Sequence, residues 1–368
     1  MQKTTVLGQP SYRIASDLVQ GWLAEAGGQF APVSFQLGDR TVEPMHVAPW
    51  AEEDLGPDQP QIIKTLRGDF FCMPFGGAPS EFRCERHPVH GETANRLWEP
   101  EEAREGYLRL SIETTVRPGK VVKEITLKHG ETNVYDRHTI HGNHGPMTFG
   151  HHAMLHFKGK GLISVSPFGF GQVFPGEFEK PEEGGYAWLK PGARFDSLER
   201  VPAIDGSTVD LTVYPSLEGW ENLVTVYSEP GRELAWSAVA FPEEGYCWFS
   251  LKDPRVLTAT VFWISNRGRH YAPWNGRHGN VYALEDVTSS IPPGIGPSSE
   301  PNEASKEGYR TFFELGDEPL AVSTIMGLVA IPQGFDHVAS IEPEEGGVRI
   351  TSRSGPSVYA KADLGHLR

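Results

Sequence analysis

Apolar and polar residues alternate with a period of two through most of the chain. Ala31, Val33, Phe35 and Leu37 alternate with Pro32, Ser34 and Gln36, and Leu108, Leu110 and Ile112 alternate with Arg109, Ser111 and Glu113. Val121, Ile125 and Leu127 share one face while Val122, Glu124, Thr126 and Lys128 share the other, and Val209, Leu211 and Val213 alternate with Asp210, Thr212 and Tyr214. Successive side chains on a strand point to opposite faces, so the pattern predicts half-buried antiparallel strands. Turn residues at Arg117-Pro118-Gly119-Lys120 and His129-Gly130-Glu131 divide Leu108 to Ile140 into a three-strand meander. The apolar run from Leu320 to Ile331, fenced by Pro319 and Pro332, is too short to cross a bilayer and predicts a buried strand. Further strands are expected at 310–313, 347–351 and 357–360. Residues 16–26 suit a short helix or a strand and turn about equally, because Gly21 and Gly27-Gly28 weaken a helix. Residues 291–303 (IPPGIGPSSEPNE) predict a long loop. The architecture expected is all-β: one large antiparallel β-supersandwich over residues 1–368, with few or no long helices.

Composition agrees with a turn-rich fold, since 41 glycines and 30 prolines occur in 368 residues. The formal charge of −15, from 33 basic and 48 acidic side chains, repels phosphate backbones and anionic lipid heads. The expected partner is therefore a small neutral molecule rather than nucleic acid or membrane, bound by a monomer or homodimer. Cys72, Cys84 and Cys247 form no CxxC pair, which leaves no disulfide framework and no cysteine-rich zinc site. That usage favours a reducing compartment, and the opening MQKTTVLGQPSYR lacks the apolar core of a signal peptide, so a cytoplasmic protein is expected.

Three segments concentrate chemistry. Residues 67–99 carry Arg67 ahead of a strand broken by glycine and proline, then His90-Gly91 and Trp98-Glu99. Residues 142–157 (GNHGPMTFGHHAMLHF) carry His144, His151, His152 and His156, and residues 280–292 end an apolar strand in Glu285 and Asp286. Together these segments resemble the aldose 1-epimerase (galactose mutarotase-like) superfamily, including its hexose-phosphate mutarotase branch. Arg67-Gly68 followed by Cys72-Met73-Pro74-Phe75-Gly76 is similar to that branch's Arg-Gly-Gly strand and Cys-x-Pro-x-Phe-Gly turn. His90-Gly91 and Trp98-Glu99 match the ends of its His-Gly-Phe-Ala-Arg…Trp-Glu segment. Residues 151–157 resemble the strand that carries the family's general acid, and Leu284-Glu285-Asp286 resembles the strand that carries its general base. The resemblance implies a mutarotase-like sandwich, His152 as acid, Glu285 as base, and Arg67 and His90 as substrate-binding groups. The family's phosphate-reading arginine falls at Ala94 here, which points to an unphosphorylated sugar.

These residue types suit the chemistry in their own right. Interconverting anomers requires a base at the anomeric hydroxyl and an acid at the ring oxygen, and imidazole and carboxylate supply both near neutrality. No metal and no cofactor is required. Trp98, Trp220, Trp263 and Trp274 are candidates to lie against the apolar face of a pyranose. His151 replaces His152 if the register slips by one, and Asp286 stands in for Glu285. Two other readings accompany this one: a non-catalytic carbohydrate-binding protein on the same fold, and a related sugar isomerase or lyase using the same pair. A metal reading rests on His87-x-x-His90-x-Glu92 and His141-x-x-His144, whose spacings depart from the His-x-His that places two imidazoles on one strand face.

Overall fold

The computed structural model describes residues 3–77 and 80–368. Its centre is two antiparallel sheets packed face to face, one of nine strands and one of eight. The predicted meander is present as Tyr107–Thr114, Gly119–Thr126 and Asn133–Gly142, neighbours in the nine-stranded sheet. The apolar run forms Leu320–Ala330, which lies between Asn133–Gly142 and Tyr246–Lys252 near the middle of that sheet. The eight-stranded sheet contains Trp220–Ser228, Ala259–Asn266, Val281–Thr288 and Phe149–His151, paired in that order. Side chains facing inward from both sheets, among them Leu108, Ile125, Val322, Trp248, Phe262, Tyr282 and Leu284, form the main core. A five-stranded amino-terminal sheet of residues 3–42 adds Tyr12, Leu23 and Phe35 to it.

Both outer faces are covered. A three-stranded sheet, Val338–Glu344, Gly347–Ser352 and Ser357–Lys361, packs Val338, Ile341 and Ile350 against the outer side of the nine-stranded sheet. Loop residues Ala48, Trp50, Leu66, Phe75 and Trp274 cover the outer side of the eight-stranded sheet, where Val261, Trp263, Ala283 and Val287 point. Residues 16–26 resolve as strand: Val19–Ala24 buries Val19, Gly21 and Leu23 in alternation. Three expectations change. The strand expected at 310–313 lies instead at Phe313–Leu315. The alternation at 209–213 does not make one strand, because the Asp210 carboxylate accepts the Thr212 amide at 2.8 Å and turns the chain between Thr208–Val209 and Val213–Tyr214. The 291–303 segment is not wholly loop, since Ile295–Ser299 and Glu303–Lys306 are helical turns, the second opened by an Asn302–Ser305 capping box.

The interior between the sheets also holds charge. Lys123 Nζ lies 2.7 Å from Asp136 Oδ2, and Lys252 Nζ lies 2.8 Å from Asp286 Oδ1, each pair almost wholly buried. Ser250 and Thr260 donate to the two oxygens of Asp286 at 2.8 Å. Removing one partner of such a pair leaves an unpaired charge in the interior, whereas replacing both by apolar groups is far milder. Lys252→Ala is therefore expected to lower stability by about 3–5 kcal/mol in urea unfolding, and Lys252→Met combined with Asp286→Leu by much less. Equal losses in the two proteins would refute this account of the pair.

Candidate active site

Register decides which side chains meet. Gly150 pairs with Val287 and Ala153 with Leu284 across two adjacent antiparallel strands. The same register sets His152 opposite Glu285 and His151 opposite Asp286. The strands run close here: a Cβ added to Gly150 would fall 2.6 Å from the Asp286 carbonyl oxygen. Because alternate residues face opposite ways, His152 and Glu285 point to the loop-covered outer face, and His151 and Asp286 point between the sheets. His152 Nε2 lies 3.2 Å from Glu285 Oε1. His151 Nδ1 instead meets Asp69 Oδ2 at 2.9 Å, and Asp286 is held by Lys252. His152, and not His151, therefore shares a face with Glu285.

Aromatic groups box in the His152 ring. Phe70 stacks on it at 4.5 Å, while His90 and Trp263 meet it edge-on at 5.1 and 5.7 Å. His90 adopts a left-handed backbone conformation (φ 57°), and its Nδ1 lies 3.2 Å from Cys72 Sγ. His152 is 4% exposed and Glu285 2%. Burial, reinforced by the nearby Asp69 carboxylate, raises the Glu285 carboxyl well above the usual range. Burial, together with His90, lowers His152 well below the ordinary histidine value. Both shifts favour the uncharged forms.

A second cluster adjoins Trp263. Its indole N–H donates to Glu221 Oε2 at 3.0 Å, its ring stacks on His278 at 5.3 Å, and Arg269 lies over it at 5.2 Å. Arg269 also covers Trp274 at 4.5 Å and binds Glu179 Oε1 at 2.6 Å. Burial pushes Glu221 up to about 7 against the pull of Arg269. His278 Nδ1 contacts Ser265 Oγ at 2.6 Å, and His46 meets the His278 ring at 4.6 Å. The more accessible members are His90, Arg269 and Tyr271, the last 36% exposed. Cavities of about 420 Å³, beside Ser164, Glu199 and Arg353, and about 170 Å³, beside Arg40, His156 and Lys158, lie elsewhere.

The structure thus brings together His152, Glu285, His90 and Trp263, with Trp274 beside them. Three other expected substrate contacts sit elsewhere. Arg67 is fully buried and donates to the backbone carbonyls of Thr65, Val6 and Leu7 at 2.7–3.0 Å, which engages Nε and both Nη atoms in anchoring the first hairpin. Trp98 lies in the main core, its indole N–H bonded to the Thr93 carbonyl. Trp220 packs on Trp188 and Tyr186. The residues of the suggested metal motif diverge as well. His87 pairs with Glu85, and Glu92 accepts the Thr115 and Val116 amides. Arg269, Glu179, Glu221 and His278 escaped the sequence reading; the run Asn266-Arg267-Gly268-Arg269 marks only a polar stretch after an apolar strand.

No family model matches the chain, and no curated protein is similar to it in sequence. The similarity is three-dimensional. A protein of Escherichia coli K12, provisionally named an aldose 1-epimerase, superposes with a TM-score of 0.60 over 87% of this chain and 99% of its own, at 11% identity. A galactose mutarotase-like protein from Lactobacillus casei ATCC 334 gives 0.57 over 87% of this chain and 100% of its own, at 13% identity. A TPR-domain containing protein from Parabacteroides distasonis ATCC 8503 gives 0.54 over 92% of this chain and 50% of its own, at 9% identity. These likenesses establish the galactose mutarotase-like fold.

Histidines of the site whose charged form is disfavoured in the fold make stability depend on pH. Burial lowers His46 to about 3 and His90 to about 4, and His278 also falls well below its ordinary 6.5. Below pH 6.5 the unfolded chain takes up protons that the folded chain refuses, so the stability these groups contribute is full above that pH and lost as it falls. Each contributes about 1.4 kcal/mol per pH unit in that window. Glu221 and Glu285, which hold protons in the folded state, offset part of this down to about their ordinary value of 4.5. The unfolding temperature is expected to fall from pH 7 to pH 5 and more steeply below 4.5; a rise on acidification would contradict the assignment.

Proposed function

We propose that the chain interconverts the anomers of an unphosphorylated sugar, with His152 and Glu285 as the acid–base pair. The observation that carries this is the cross-strand contact of 3.2 Å between an imidazole and a carboxyl, set beside an indole and a second imidazole. The fold, shared with proteins named for mutarotation, supports the same reading.

Ring opening takes the proton from the anomeric hydroxyl, forms the C1 carbonyl, breaks the C1–O5 bond and protonates O5. Rotation about C1–C2 presents the other carbonyl face, and O5 adds back as its proton leaves and O1 regains one. Closure is opening in reverse, so each group serves as acid in one half of the cycle and base in the other. One proton shared between His152 and Glu285 is enough, and the protein ends each turnover as it began. An uncharged pair is suited to this, because separated charge in a buried site is costly. His90, half-buried beside the pair, offers a hydrogen bond.

The charges around the pair disfavour a phosphate. Arg269 is bound by Glu179 and flanked by Glu221, so its guanidinium is already matched by carboxylates. A dianion entering here would find the nearby guanidinium already paired with the Glu179 carboxylate.

Polarimetry with purified protein and a panel of free aldoses tests the reading. His152→Ala and Glu285→Ala are each expected to slow mutarotation by at least about 100-fold with an unchanged circular dichroism spectrum. Wild-type rates in either variant would refute the assignment. Binding of a reducing sugar without faster mutarotation would favour a carbohydrate-binding protein, and wash-in of solvent deuterium at carbon would favour isomerase or lyase chemistry.

A further inference from the structure

Behind the strand that carries His152, between the two sheets, a group of buried polar atoms has no hydrogen-bond partner among the described residues; within it His138 Nδ1 lies 3.5 Å from Asp136 Oδ1. Asp136 Oδ1, both ring nitrogens of His138, His151 Nε2 and Asp69 Oδ1 are all of this kind. Each belongs to a residue at most 2% exposed. Leaving one such group unsatisfied costs about 1–3 kcal/mol, so a cluster of them points to an occupant.

We propose that Asp136, His138 and His151 bind a divalent first-row transition-metal ion, at a site distinct from the acid–base pair. One donor atom from each residue lies within 4.8 Å of the other two. Two imidazoles and one carboxylate suit zinc, ferrous iron or nickel better than magnesium or calcium, which prefer all-oxygen surroundings. The surrounding contacts orient these donors. His151 turns Nδ1 to Asp69 Oδ2 at 2.9 Å and leaves Nε2 for the ion, the carboxylate–imidazole arrangement that fixes metal-binding histidines. Lys123 donates to Asp136 Oδ2 at 2.7 Å and leaves Oδ1. Phe71 stacks on His138 at 4.0 Å and fixes its plane.

Charge and distance are compatible with the ion. Asp69 and Asp136 with Lys123 sum to −1, a charge that a divalent cation meets. Metal–ligand bonds of about 2.0–2.2 Å hold neighbouring donors about 3–4 Å apart, so the three close in by no more than about 1–2 Å on binding. Asp136 and His138 lie in the strand Asn133–Gly142 of the nine-stranded sheet, and His151 lies in Phe149–His151 of the eight-stranded sheet. The ion would therefore fasten the two sheets together directly behind His152.

Elemental analysis of the full-length protein, purified without chelator, tests this. It is expected to show one equivalent of a first-row metal per chain. Unfolding in chelator and refolding with cobalt chloride is expected to restore one equivalent, with the visible absorption of a coordinated cobalt ion, and to raise the unfolding temperature above that of protein refolded without metal. His138→Gln is expected to lose both metal and absorption, while Lys252→Met combined with Asp286→Leu, at the other buried pair, keeps them. If His138→Gln does not fold, the wild-type measurements still decide. Less than a tenth of an equivalent in the purified protein, with no cobalt uptake on refolding, overturns the proposal, as does electron density showing only water among the three residues.

Discussion

Two neighbouring antiparallel strands in matched register govern the polar interior of this protein. Gly150 opposite Val287 and Ala153 opposite Leu284 leave two residues on each strand between them. Alternation then sends one facing pair outward and the other inward. His152 and Glu285 lie on the side of Phe70, His90 and Trp263; His151 and Asp286 enter the space between the sheets, where Asp69 and Lys252 meet them. A shift of one residue would exchange the two sets and leave the aromatic box without its imidazole. Gly150 protects the register by permitting an approach that any side chain would obstruct.

The same ladder separates two electrostatic environments by the thickness of one sheet. Inside, the charges of Lys123, Asp136, Lys252 and Asp286 are paired, which limits the penalty of holding them away from water. Outside, the His152–Glu285 pair favours a neutral form, and the charged Arg269–Glu179 pair lies on the far side of Trp263. Asp69 links the two environments: it accepts from His151 on the inner side, and its charge helps hold the Glu285 proton in place.

Much of the fold was legible because period-two alternation survives wherever one strand face is buried and the other is not. The meander and the Leu320–Ala330 strand follow directly from it. The pattern fails at 209–213, where a single Asp210 side chain turns an otherwise regular alternation. At the candidate site, His152 and Glu285 could be picked out because both lie on segments that resemble known motifs, while the choice between His151 and His152 depended on a cross-strand register that alternation alone does not give. Arg67 misled because a guanidinium satisfied by backbone carbonyls looks, in sequence, the same as one awaiting a ligand. Arg269 and Glu221 gave no signal, since their convergence on Trp263 is made by loops and strands that are distant along the chain.

The Arg67 arrangement constrains more than its own position. Its guanidinium reaches two consecutive carbonyls, Val6 and Leu7, at the tip of the hairpin formed by Lys3–Val6 and Gln9–Ala15. An insertion or deletion there would carry those acceptors out of alignment and strand a cation in a dry interior. This tip, a place where surface turns ordinarily vary freely in length, is therefore locked to a single spacing by a side chain about sixty residues away.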